Sequence, residues 1–108
     1  MRETLEIRGH KIEVKRWNYG EKQRALRKAT KWTTKNDIVD AEVDPWELND
    51  QMVLTCVKKW DLLDPDTDKP LPITLEALHK VEPPEIIETL ITELQRINGV
   101  SVEERKKS

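Results

Sequence analysis

The stretch KKWDLLDPDTDKPLPIT, residues 58–74, places Asp64, Asp66 and Asp68 at every second position, the alternation with which a calcium loop presents its first oxygen ligands. An EF-hand loop begun at Asp64 needs glycine at its sixth position, for a sharp turn, and a bidentate glutamate at its twelfth. Lys69 and Leu75 stand there, Glu76 comes one residue late, and Pro65, Pro70 and Pro72 stiffen the segment. The pattern reads instead as an extended turn between two helices, fixed by its prolines and aspartates, with the acids in water. No metal and no cofactor is expected.

Covalent catalysis needs a nucleophile, a base and an orienting group brought together. Cys56 falls within the apolar stripe of a helix, where a buried thiol is inert. His10 sits at a hairpin turn and His79 in a short helix, neither with a partner recognisable in the sequence. One cysteine and two scattered histidines lack the paired spacing of a zinc site, and three glycines make no phosphate loop. The expectation is a protein that binds rather than one that catalyses.

Charge is the stronger signal. Residues 1–35 hold 11 basic and 4 acidic side chains, whereas residues 36–98 hold 5 and 15. Such asymmetry serves a nucleic-acid face, association of a basic end with an acidic surface, or solubility alone. Between residues 22 and 35 six lysines and arginines precede or flank Trp32, which suits phosphate contact with one aromatic for stacking. The acidic remainder and a sequence pI near 5.7 oppose that use. Arg24, Arg27, Lys28 and Lys31 are therefore read as a basic patch for an acidic partner or a neighbouring protomer.

These residues need elements to position them. In TLEIRGHKIEV, Leu5 and Ile7 lie on one side of Gly9-His10 and Ile12 and Val14 on the other, alternating with charge, which predicts a hairpin over about 3–16. Helix formers with a thin stripe of Ala25, Leu26, Ala29 and Trp32 predict a helix over 20–32 facing that hairpin. DIVDAEV is open between a strand and an extended linker. In DPWE, Asp44 caps a helix, Pro45 occupies its first position and Glu47 completes a capping-box pattern; the helix should run over 45–60. Thr74 caps a short helix over 75–80, Pro83-Pro84 interrupts the chain, and an aliphatic helix follows over 84–97, stopped at Asn98-Gly99. Trp46, Val53, Val57, Trp60, Leu90, Ile91 and Leu94 are the expected core, with Ile86, Ile87 and Ile97 at a partner-facing edge. The expected fold is mainly α (α+β), one domain over 1–99 with a mobile tail over 100–108.

The single cysteine excludes an internal disulfide, no apolar run approaches the roughly 18 residues of a membrane span, and MRETLEIRGH has no apolar signal core. An intracellular, cytoplasmic protein with no membrane association is expected.

The order of features from Tyr19-Gly20-Glu21, through Trp60-Asp61-Leu62 and an acidic turn, to Lys69-Pro70-Leu71-Pro72-Ile73-Thr74-Leu75-Glu76-Ala77-Leu78 and an aliphatic last helix resembles the tail assembly chaperones of long-tailed bacteriophages and prophages. It spans roughly residues 12–98 and departs at Lys69, where family members often carry glycine. The resemblance implies a non-enzymatic protein that binds the tape measure protein and tail tube subunits during tail morphogenesis and is absent from the finished tail. It also implies a longer form made by frameshifting near the end of the reading frame, with which Lys106-Lys107 is compatible. A small nucleic-acid-binding regulator and a structural tail or connector subunit are the alternatives.

Overall fold

The computed structural model describes residues 2–99, and the expected tail over 100–108 lies outside them. The chain opens with β1 (Arg2–Ile7) and β2 (His10–Lys15), antiparallel with Leu5 opposite Ile12 and Ile7 opposite His10. The turn is Arg8-Gly9, one residue earlier than expected, and both residues have positive φ, 51° and 83°. Two left-handed residues make the tight turn whose twist matches that of the strands. This register puts Leu5, Ile7, Ile12 and Val14 on one face, and all four are buried.

Asn18 caps α1 (Tyr19–Ala29): its Oδ1 accepts from Glu21 N–H at 2.8 Å while Glu21 Oε1 accepts from Asn18 N–H at 2.9 Å. The helix ends three residues before the expected boundary. Thr30, Trp32, Thr33 and Thr34 are strand formers, and β3 (Thr30–Lys35) begins where α1 stops. Asn36 and Asp37, both at positive φ, turn the chain into β4 (Ile38–Val43), so DIVDAEV is a strand. A backbone bond from Asp44 N–H to Ala29 O, 2.8 Å, closes the base of this second hairpin.

Asp44 caps α2 (Pro45–Cys56), its Oδ1 accepting from Trp46 and Glu47 N–H at 3.0 and 3.3 Å. Glu47 takes Gln51 Nε2 (3.0 Å). The helix stops at Cys56 because Val57–Trp60 forms β5, which pairs with β2 in a sheet of order β1-β2-β5. A register shift at Glu13 and Val14 leaves β5 buried at Val57 and Trp60 and exposed at Lys58 and Lys59. That four-residue interval also suits a helix stripe, which is why the helix was expected to continue to residue 60. With five strands beside α1, α2, α3 (Leu75–Leu78) and α4 (Glu85–Ile97), the fold is α+β.

The core lies between the three-stranded sheet and α2 and α4. Val53, Val57, Trp60, Leu90 and Leu94 are buried as expected, and Ile91 packs partly buried against them. Trp60 Nε1 donates to Leu71 O at 2.8 Å, holding the loop after β5 against the core. Asn98 ties three elements: its Oδ1 accepts from Trp17 N–H at 3.1 Å and its Nδ2 donates to Cys56 Sγ at 3.5 Å. Trp46 corrects the expected core. It is 79% exposed: although it shares the Val53 side of the helix, it stands in the first turn, and burial in α2 begins only at Met52.

Leu90 is fully buried in this cluster, so Leu90→Ala should lower the unfolding free energy by about 2–5 kcal/mol in urea titration. A loss below about 1 kcal/mol would place the side chain outside the core.

Candidate functional site

The most conspicuous feature outside the core is the arm formed by β3 and β4. Its register pairs Thr30 with Val43, Trp32 with Ala41 and Thr34 with Val39, and between these Lys31 with Glu42, Thr33 with Asp40 and Lys35 with Ile38. Side chains alternate between faces. One face is therefore uncharged throughout, carrying Thr30, Trp32, Thr34, Val39, Ala41 and Val43. The other carries Lys31, Thr33, Lys35, Ile38, Asp40 and Glu42, with opposite charges paired across the strands at Lys31 and Glu42.

Alternation of this kind marks a sheet with one buried face, yet this face is open. Trp32 is 69% and Val39 64% exposed, and Val43 is exposed as well. No third strand joins the pair among the described residues. A two-stranded ribbon without such cover is marginal in water, and what anchors it is its base. There Lys31 Nζ lies 3.4 Å from Asp44 Oδ2, beside the Asp44-to-Ala29 backbone bond.

The expected basic patch is divided by the end of α1. Arg24 and Lys28, one turn apart on α1, line a groove with Lys58 of β5 and Gln51, Leu54 and Thr55 of α2, about 280 Å³ in volume. Arg27 is exposed on α1 outside that lining, and Lys31 is on β3 at the base of the arm. At one end of the groove Glu21 is already bound by Lys15 Nζ and by Asn18 N–H. The Lys15 bond, with the Asn18 N–H, holds the Glu21 carboxyl below the usual carboxylate range against the cost of desolvation. Sequence reasoning missed Lys58 as a member of this group because a helix through residue 60 conceals the strand that presents it.

The expected partner-facing edge also divides. Ile86 is 1% exposed and belongs to the core, since α4 points it inward with Leu90 and Leu94. Ile87 and Ile97 are half-buried and packed against that core. Among the described residues the exposed large apolar side chains lie outside α4, with Trp32, Ile38, Val39 and Val43 grouped on the arm and Tyr19 and Trp46 at helix starts.

The groups that could do chemistry are engaged in the fold. His10 Nδ1 is 2.9 Å from Asp61 Oδ1, whose other oxygen accepts from Lys11 N–H at 3.2 Å, tying the first turn to the end of β5. Burial works against the charged form of Asp61, but the Lys11 N–H and His10 outweigh it and hold its carboxyl low. His79 Nε2 meets Asp50 Oδ2 at 2.8 Å, joining α3 to α2. Burial pushes the Cys56 thiol up, away from the reactive thiolate. In the acidic turn, Asp64 Oδ1 accepts from Asp66 N–H (2.8 Å) and Asp64 O from Asp68 N–H (2.9 Å), with Asp68 at positive φ. Among the described residues no group of three or more His, Cys, Asp or Glu could hold a metal ion, and no helix is long and apolar enough to cross a membrane.

Comparison with family models, curated proteins and solved structures finds no match.

The Glu47 N–H, with the Trp46 N–H and Lys31, holds the Asp44 carboxyl below its ordinary value. A carboxyl whose folded-state pKa is depressed contributes stability above its unfolded value, and that contribution disappears as the pH falls through the folded-state value. Asp44→Ala should therefore melt at a lower temperature than the parent near neutral pH, and the difference should shrink as the pH drops below about 3.9. A difference constant from neutral pH into that range would show that the carboxylate's charge is not what secures the base of the arm.

Proposed function

We propose that this chain is a non-catalytic assembly protein that docks an amphipathic helix of a partner onto the uncharged face of the β3–β4 arm. The observation that carries the reading is the arm itself: a hairpin patterned for burial on one side, with that side open. Burying a tryptophan or valine side chain contributes roughly 1.5–3 kcal/mol each, so Trp32, Val39 and Val43 supply a useful docking energy.

The dimensions select the occupant. Six residues per strand span roughly 20 Å, and two strands with their side chains cover a width of about 10 Å. That area is small against the roughly 800 Å² per partner of a standard protein interface, but it matches three or four turns of a helix about 10 Å across. The mixed charge of the opposite face keeps the complex in water.

Resemblance to phage tail assembly chaperones supplies the partner class. A tape measure protein is long, helical and prone to aggregate, and tail tube subunits polymerise around it. A chaperone that covers its amphipathic helices in the host cytoplasm, then leaves as the tube closes, needs a small apolar surface with reversible binding rather than a large rigid one. The physical match between arm and helix is what supports a helix-binding role.

The test is co-expression with a phage tape measure protein, followed by size-exclusion chromatography at physiological salt. Co-elution with a partner that is insoluble alone is expected, and the double variant Trp32→Ser, Val39→Ser should abolish it while keeping the parent's melting temperature, since both residues are exposed. A variant that still solubilises the partner would remove the arm from the interface.

A further inference from the structure

We propose that the groove between α1, α2 and β5 is a second recognition site, which takes a short acidic peptide segment of a partner protein through Arg24, Lys28 and Lys58. The inference rests on the binding role proposed above and assigns the chemistry of a separate contact. Among the described residues none of these three cations lies within 4.0 Å of a carboxylate; that is true of most of the lysines and arginines, and what sets these three apart is that they line one groove. Like charges one turn apart disfavour a helix, and Arg24 and Lys28 form such a pair. Glu21, the one acid in the lining, is engaged by Lys15 and Asn18.

The rest of the lining defines the ligand. Gln51 and Thr55, one turn apart on α2, offer hydrogen bonds, and half-buried Leu54 adds a small apolar contact to a lining that is mostly polar. A volume near 280 Å³ accommodates a few side chains. Carboxylates on the three cations with an aliphatic side chain on Leu54 satisfy each component. A polyphosphate chain has no group for the contact at Leu54. The predicted ligand is thus a glutamate- or aspartate-rich segment interrupted by leucine or a similar residue.

The probe is a short fluorescein-labelled peptide of alternating glutamate and leucine, titrated with the full chain by fluorescence anisotropy, beside an oligothymidylate of equal charge. Saturable binding of the peptide that weakens with salt is expected, with weaker binding of the oligothymidylate. Arg24→Glu with Lys28→Glu should reduce peptide affinity by about tenfold or more, and Lys58→Gln should reduce it by less, both with the parent's melting temperature. The arm variant Trp32→Ser, Val39→Ser should bind the peptide as the parent does, which separates this site from the arm. No saturable peptide binding, tighter binding of the oligothymidylate, or full affinity in the charge-reversed variant would each overturn the proposal. Loss of peptide binding in the arm variant would overturn it too, by placing the acidic segment on the arm.

Discussion

Burial of one strand, β2, constrains the rest of this molecule. Ile12 and Val14 have no solvent exposure, and a hairpin cannot achieve that alone. The cover comes from residues far along the chain. β5 occupies the second edge of β2, α2 and α4 lie over its apolar face, and Asn98 at the end of α4 bonds the backbone just past β2. The requirement that Val57 and Trp60 reach this sheet explains why α2 stops at Cys56 rather than continuing through a sequence whose spacing would allow it.

Where the chain carried a single period, its elements were legible without coordinates. The N-terminal alternation, the Asp44-Pro45 cap, the Thr74 cap and the aliphatic stripe of α4 each specify one local structure, and their buried residues follow. The errors arose where two periods coincide. Ala25, Ala29 and Trp32 continue a helical stripe, yet Trp32 also alternates with Lys31 and Thr33. The deciding signals were the threonines of 30–34 and the Asn36-Asp37 pair, whose tolerance of positive φ suits a tight turn between alternating segments. Val57 and Trp60 mislead in the same way, because a bulge gives a strand the spacing of a helix turn. Trp46 shows a different limit: its helical spacing matches that of buried Val53, but the periodicity does not tell how far along α2 the core extends.

The two hairpins of this chain are built alike and differ in what covers them. Both are six-residue strands joined by two left-handed residues, and both separate apolar from charged side chains. The first is covered from within the chain. The second stands on the Lys31, Asp44 and Ala29 contacts at its base and presents Trp32 and Val39 to solvent. Of the candidate binding residues that the sequence offers, Arg24 and Lys28 line a groove with Lys58, while Ile86 belongs to the core. The apolar docking surface we propose lies elsewhere, because burying β2 consumes the inner stripe of α4. A domain that uses its best aliphatic helix for its own stability has its ribbon left for association.

The most direct test of this account is amide hydrogen exchange over the whole chain, free and mixed with the partner proposed for it, a phage tape measure protein. The account predicts fast exchange across β3 and β4 in the free protein, slow exchange in β2 and α4, and strong protection of the arm on binding while β2 and α4 change little. Protection that appears on α4 or on the β1 edge, with the arm exchanging as fast in the complex as alone, would contradict it.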